Sequence, residues 1–429
     1  MRLLRAGLCA LLVFSVGAFG TVEVWSVSAV EIGAGALLAI WAFLAWRDPG
    51  LQVRWNRLNG PFLGLIAIAL LQLLLHGTAY AFATREGVLT LAAYFIVFFL
   101  VAQAFRSRPE LTMLAWFLAC LCFGVSLFGI VQHFTSHGTI YWLKELNAGG
   151  DPFGPYVNRN HFAGFVELTA PVGLALMVFR GVRRDVFPLA AVLTILPVGA
   201  LILSGSRGGI AAFAFQIGVL VLLARGQRAM DGSRMVPIGI VVLAALVLIA
   251  WLGAGKAIER FSEMRPGEPS LSRRGTMLVD TLHIFRDHPF LGTGLGTMVA
   301  VYPTYETAYD GHMVDHVHND YAEGLAEMGI LGGACGLLFL WLLLRDARRA
   351  FEAEQGHFSR AIHAAGIVAV AGLLFHSFLD FNLHIPANAM LFLVLAYLAT
   401  REPVASRGAK GADSTRWRAT MHKAEVEAM

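Results

Sequence analysis

Residues 111–133 read LTMLAWFLACLCFGVSLFGIVQH, an apolar run with no Asp, Glu, Lys or Arg. A run of about 20 such residues is long enough to cross a bilayer as a helix. Similar runs recur along the 429-residue chain, which is 57% hydrophobic and only 14% charged. Because soluble domains are roughly a quarter charged, the composition indicates a protein that is solvated mainly by lipid.

The apolar runs predict an all-α, polytopic integral membrane protein with about 12 transmembrane helices. We read the first run as an uncleaved helix, because no small-x-small cleavage site closes it. The predicted helices lie near 6–21, 32–46, 61–76, 87–105, 111–133, 161–179, 186–204, 208–224, 236–253, 328–344, 361–379 and 388–400.

The basic residues indicate the orientation of these helices. Most of the 33 Lys and Arg residues fall in one set of alternate loops, and the positive-inside rule places that set in the cytoplasm together with both termini. The other loops then face the periplasm or the cell exterior. The long hydrophilic stretch 254–327 belongs to that outer set and cannot lie in hydrocarbon, because its irregular backbone would lack hydrogen-bond partners there.

The predicted organisation therefore has four parts. They are membrane helices 1–9 in 1–253, a periplasmic catalytic loop in 254–327, membrane helices 10–12 in 328–400, and a disordered cytoplasmic tail in 401–429. Within the loop, the pattern predicts an amphipathic helix over Thr276–Phe285 and a turn over Pro289–Gly296.

Two classes of site are disfavoured by composition. The net charge of +4 comes from short basic clusters between apolar runs, which is typical of membrane topology rather than of nucleic-acid binding. All four cysteines lie inside apolar runs, so the sequence favours neither a disulfide framework nor a thiolate metal site. The cysteines are Cys9, Cys120, Cys122 and Cys335.

The first candidate site is the stretch Ser204–Gly209, which reads SGSRGG. It places the guanidinium of Arg207 at a predicted helix end, between glycines that allow a ligand to approach the backbone closely. Helix N-terminal N–H groups and an arginine suit a phosphate. The alternative is an interfacial arginine beside a tight turn.

The second candidate is the adjacent pair Arg273 and Arg274, which opens the amphipathic helix of the loop. Adjacent arginines are often only a solvated face. Two arginine sites on one side of the membrane nevertheless fit a diphosphate, because each guanidinium can bind phosphate oxygens in a bidentate manner.

The third candidate is the stretch from His312 to Tyr321, HMVDHVHNDY, followed by Glu323 and Glu327. Two chemical interpretations remain open, and a third is that the histidines simply lie at a hydrated membrane surface. Histidines can ligate a metal together with Asp315 or Asp320, or a single histidine can act as a general base. We expect the side chains of Tyr321, Glu323 and Glu327 to spread over several faces of the helix rather than to form one acidic stripe.

Three further stretches give weaker signals. The glycine run Gly292–Gly296 does not follow a strand, which excludes a dinucleotide fingerprint and favours a tight turn. The stretch Tyr156–His161 looks like a polar loop. At the end of the eleventh predicted helix stand His376, Asp380, Asn382 and His384, ionisable or polar residues near membrane depth that suggest a functional site.

At these motifs the chain resembles the O-antigen ligase family, whose relatives include O-antigen and exopolysaccharide polymerases. The motifs are Ser206–Gly208, Arg274 upstream of His288–Gly294, His318–Tyr321 followed by Ala326–Gly332, and Phe378–Asn382 with Pro386–Asn388. Each is short, but they occur in order and on one predicted side of the membrane.

The resemblance implies a metal-independent, inverting glycosyltransferase of the bacterial inner membrane that uses no cofactor. Its donor would be an undecaprenyl-diphosphate-linked glycan, and its acceptor a sugar hydroxyl of lipid A-core. A repeat-unit polymerase is one alternative function that the sequence leaves open. A secondary transporter is another, although it should carry charges on broken helices at mid-membrane.

The resemblance also implies roles for individual residues. His318 matches the catalytic histidine, and Arg207 and Arg274 match the diphosphate-binding arginines. Leu278 stands where many relatives have Trp, which keeps Arg273 open as an alternative to Arg274. Supporting roles are expected for His316, Asn319, Asp320, Tyr321, Glu327, Asn160 and Asp380.

Overall fold

The computed structural model of the chain describes residues 1–136, 138–145, 151–225, 236, 239, 243, 269–309, 311 and 313–402. These residues form helices and no named strand, which confirms the all-α prediction for this part of the chain. Twelve of its helices have 15 residues or more: α1 Arg2–Gly17, α2 Val24–Arg47, α3 Asn59–Leu74, α4 Ala81–Ala104, α5 Arg108–Thr135, α6 Arg159–Val178, α7 Phe187–Leu203, α8 Arg207–Arg225, α9 Pro269–Asp287, α10 Asp320–Ala353, α11 His357–His376 and α12 Pro386–Thr400.

Seven of the described helices, α2, α4, α5, α6, α8, α10 and α11, are long and apolar enough to cross a membrane. Helices α3, α7 and α12 are shorter and also apolar. The chain is thus an integral membrane protein. Most of the predicted ninth span near 236–253 and the predicted tail beyond Glu402 lie outside the described residues, so the count of about 12 spans stays a prediction.

The centre of the molecule is α6, in which every residue from His161 to Val178 is buried. Helices α5, α7, α8, α11 and α12 pack around it. Peripheral helices instead expose large apolar side chains, for example Val24 at 79%, Trp46 at 78% and Leu74 at 74% of their surface. Exposure on this scale indicates contact with lipid rather than with water.

Helix α9 confirms the predicted amphipathic helix and extends it on both sides. It buries Met277 and Ile284 and exposes Leu282 and Arg286. The buried carboxylate of Asp280 accepts hydrogen bonds from the Tyr302 hydroxyl and from Thr307. These bonds attach the following loop to α9.

The glycine run is a tight turn, as predicted, with positive φ at Gly292, Gly294 and Gly296. It packs against α10 where that helix breaks at Gly329, whose φ of 61° and ψ of −165° are open essentially to glycine alone. Ile330 N donates to Pro289 O at 2.8 Å, and a Cβ on Gly329 would overlap the Phe290 carbonyl. The turn and the helix break therefore form one docked unit.

The predicted start of the tenth helix at 328 is wrong, because α10 begins at Asp320. The Asn319 side chain caps it by accepting from Tyr321 N and Ala322 N, and Asp320 and Glu323 add negative charge to its first turn. The first segment, 320–328, is polar and falls almost wholly within the predicted loop 254–327. The apolar part of α10 starts after the break at Gly329, close to the predicted position.

The predicted spread of Tyr321, Glu323 and Glu327 over several faces is correct for Tyr321 and wrong for the two glutamates. Asp320, Glu323 and Glu327, at spacings of three and four residues, are 7%, 1% and 2% exposed and share one buried face. Tyr321, which was grouped with them, lies on another face, where its hydroxyl donates to Leu374 O at 2.7 Å.

Candidate active site

His318 lies directly before α10 in a constrained backbone conformation. Its φ is 52°, in the left-handed region that few non-glycine residues adopt. The residues after it fasten it to the end of α11. Asp320 N donates to Ser377 O at 3.0 Å, and Asn319 Nδ2 donates to Phe378 O at 3.2 Å. Strain of this kind is typical of functional sites, where the surrounding contacts maintain it.

The carboxylate of Asp380 is the centre of the site. Asp380 is 0% exposed, and its Oδ1 lies 3.2 Å from His318 Nδ1 and accepts from Phe381 N at 2.9 Å. Because a carboxylate only accepts, Nδ1 of His318 carries the hydrogen and Nε2 is left as the basic nitrogen. The His318 side chain is 25% exposed, so it is both oriented from behind and open to a ligand.

The second carboxylate oxygen of Asp380 faces Arg274. The Arg274 guanidinium lies 3.7 Å from this oxygen and also donates to Leu379 O at 2.6 Å. Asn160 Nδ2 donates to the same oxygen at 2.5 Å, and the Asn160 side-chain oxygen Oδ1 accepts from Ser206 Oγ at 2.8 Å. These bonds connect Asp380 to the start of α8, where Arg207 is the first residue.

The charge state of Asp380 follows from its neighbours. Burial alone would raise its pKa, but the adjacent rings of His161 and His318 outweigh burial and hold the pKa well below its usual range. His161 Nε2 lies 3.8 Å from Asp380 Oδ1, so its effect is electrostatic. Asp380 is therefore an anion that can orient His318 and attract Arg274.

A second titratable cluster adjoins the first across the ring of Phe381. That ring stacks on His316 at 4.4 Å and meets His318 edge-on at 5.1 Å. Behind it, His316 Nδ1 lies 2.6 Å from Glu323 Oε1, and His384 Nδ1 lies 2.7 Å from Asp320 Oδ1. Burial lowers the pKa of His384, but Glu323 and Asp320 outweigh it and raise the pKa to about 10.

The structure changes the set of residues that could ligate a metal. The sequence suggested the histidines with Asp315 or Asp320, whereas ligand atoms within 4.8 Å of one another come from His316, Glu323 and His384. Asp320 lies behind His384, and Asp315 accepts from the backbone N of His316. The three groups already pair with each other as ions and hydrogen-bond partners.

Glu327 holds the glycine turn in place. Its two carboxylate oxygens accept from Gly296 N at 2.8 Å and from Met298 N at 2.9 Å. Its carbonyl accepts from Gln72, which also binds Leu291 O and Leu295 N. Glu327 thus fixes the glycine turn against α10 and, among the described residues, makes no hydrogen bond with Asp380.

Several members of the site were not identified from the sequence. Glu323 is outside the predicted set of site residues, although its spacing from Asp320 in a helix places both on one face. His161 is also outside the predicted set, although it directly follows Asn160 in the sequence. Glu167, which binds His376, is the only charged residue in an apolar run from 161 to 179, and such a residue is a functional candidate by its cost alone.

A family model described as O-Antigen ligase matches residues 190–337. This segment belongs to the O-antigen ligase family. The resemblance predicted from the sequence motifs is confirmed over this ligase segment, which contains Arg207, Arg274 and His318. No curated protein matches the chain. Asn160 and Asp380 lie outside the ligase segment, and the fold brings both to it.

Proposed function

We propose that the chain transfers a glycan from an undecaprenyl-diphosphate carrier to a sugar hydroxyl of lipid A-core, as an O-antigen ligase. The observation that supports this is the convergence of His318, Asp380 and Arg274 beside the start of α8. A base and a cationic group in one site, next to the helix that Arg207 opens, match a reaction that deprotonates a hydroxyl and releases a diphosphate.

In the proposed reaction, Nε2 of His318 takes the proton of the acceptor hydroxyl. The hydroxyl oxygen attacks the anomeric carbon from the side opposite the diphosphate, so the configuration inverts. The bond between the anomeric carbon and the phosphate oxygen breaks, and its electron pair leaves with undecaprenyl diphosphate. Arg207 and Arg274 stabilise that developing charge, since charge-assisted and bidentate hydrogen bonds to phosphate are strong. Asp380 keeps the ring of His318 in the reactive tautomer.

We further propose that the site faces the periplasm, in the inner membrane, with both termini in the cytoplasm. The distribution of basic residues supports this orientation. The glycan is already activated by its diphosphate, so the proposed step needs no nucleotide and no metal, and 254–327 is proposed as the catalytic region.

The test is a reconstituted assay with a lipid-linked donor and lipid A-core as acceptor. His318→Ala should lose a factor of about 10²–10⁴ in rate, while His283→Ala, an exposed histidine of α9, should retain the wild-type rate. Chelator should leave transfer unchanged. Inactivation by chelator with rescue by a divalent ion would instead support metal catalysis. Transfer only to a second lipid-linked glycan would show a polymerase.

A further inference from the structure

A buried ionisable pair lies between α6 and α11, and neither of its residues has a role in the proposed reaction. Glu167 and His376 are both 0% exposed, and His376 Nδ1 lies 2.9 Å from Glu167 Oε1. The Glu167 carboxylate accepts, so Nδ1 carries the hydrogen. The other oxygen of Glu167 has no partner among the described residues. Paired as carboxylate and imidazolium, the two groups balance each other's charge away from water.

The second nitrogen of the His376 ring faces the start of α8. Nε2 is buried and has no hydrogen-bond partner among the described residues. A Cβ on Gly208 would lie only 2.7 Å from it. Gly208 follows Arg207 in the first turn of the 19-residue helix α8. Any side chain at this position would separate His376 from the helix N-terminus, where the backbone dipole favours an anion.

The same histidine is connected to the other half of the site. Its carbonyl accepts from Asp380 N at 3.0 Å and from Leu379 N at 2.7 Å, so it forms the turn that carries the central carboxylate. Asp380 and Arg274 are also within electrostatic range of its ring. A positive group here adjoins Gly208, the residue after Arg207, and is within electrostatic range of Arg274.

We propose that the Glu167–His376 pair belongs to the donor-binding site. The positively charged His376 ring donates its Nε2–H to the diphosphate, and Gly208, which has no side chain, allows this contact. This inference rests on the proposed function and adds two residues to it. A phosphate oxygen at the start of α8 would be the acceptor that Nε2 of His376 faces. In low-dielectric surroundings a buried cation attracts an anion a few ångströms away strongly. Glu167 keeps the ring charged, and Gly208 leaves no side chain between the ring and the start of α8.

The experiment measures binding of undecaprenyl diphosphate, without glycan, to the full chain in detergent. In His376→Asn the new amide takes the place of Nδ1 and can still bind Glu167, but no atom replaces Nε2. Loss of a charge-assisted hydrogen bond should weaken binding roughly tenfold or more. The KM for donor should rise, while kcat at saturating donor changes little.

His363→Asn is the matched control. His363 is on the same helix and is also 0% exposed, but its ring bonds to Ala399 O at the opposite end of α11. It should keep wild-type affinity. Wild-type affinity in His376→Asn would overturn the proposal, and so would an equal loss in both variants, because that outcome shows a general packing effect.

If His376→Asn does not fold, the same binding measurement on Glu167→Gln tests the proposal. Its side chain still accepts from Nδ1 but no longer carries the charge that keeps the ring cationic, so affinity should fall, and unchanged affinity overturns the proposal. Failure of the proposed function would be seen separately, as a wild-type chain that does not bind the diphosphate or a His318→Ala variant that transfers at full rate.

Discussion

At the scale of single residues, Asp380 connects the base to the cationic side of the site. One of its oxygens holds His318 and the other faces Arg274 and Asn160. A carboxylate shared in this way positions the base and the diphosphate site relative to each other. Substitutions at either partner should therefore affect transfer more than they affect folding.

Arg274 should behave as a group of defined charge and geometry. We expect Arg274→Ala to abolish most transfer in the reconstituted assay and Arg274→Lys to restore only part of it, because an ammonium lacks the planar fork of a guanidinium. Arg286→Ala, an exposed arginine of the same helix, is the control and should be active. Loss of activity in Arg273→Ala with full activity in Arg274→Ala would transfer the role to the neighbour.

His384 should make stability depend on alkaline pH. Its pKa is about 10 in the folded chain and about 6.5 when unfolded, so the folded state binds the proton more tightly. The stabilisation is fully present below about 6.5 and is lost as pH rises through about 10. The thermal midpoint of His384→Asn should lie below wild type at pH 6.5 and meet it at pH 10.5. A gap that stays constant with pH would contradict this.

At the scale of elements, the break in α10 allows the glycine turn to dock. Residues 320–328 present the acidic face to the site, and the residues after Gly329 continue as an apolar helix. The two segments are set at their relative angle by the contacts of Pro289 and Phe290 with the break. The position of His318, one cap residue before α10, depends on this arrangement.

Gly329→Ala tests the break. A Cβ there overlaps the Phe290 carbonyl, and the conformation is strained for any residue but glycine, so we expect a loss of at least about 2 kcal/mol in stability. The thermal midpoint measures it. Gly336→Ala, in the same helix with nothing within 4 Å of the added Cβ, should leave the midpoint unchanged or raise it, since alanine favours helix. Equal behaviour of the two variants would rule out the strain argument.

At the scale of the whole molecule, the membrane orientation can be measured directly. A cysteine at Tyr309, which is 73% exposed, should react with an impermeant thiol reagent added outside the inner membrane, in a background without the four native cysteines. A cysteine at Ala353, at the exposed end of α10, should react only after the membrane is opened. The reverse pattern would place the proposed site in the cytoplasm.

The membrane character and most helix positions were determined by the sequence alone, because the length of an apolar run is a local property. Eleven of the predicted spans overlap described helices, and Arg207, Arg274 and His318 were identifiable because their motifs are local as well. Only the tertiary structure decided that Asn160 and Asp380 meet Arg274 and His318, since helix packing unites positions far apart in the chain. It also decided that Asp320 and Glu323 begin a helix. Their charges look like those of a loop until His384 and His316 pair with them, and a pairing between distant residues leaves no local pattern.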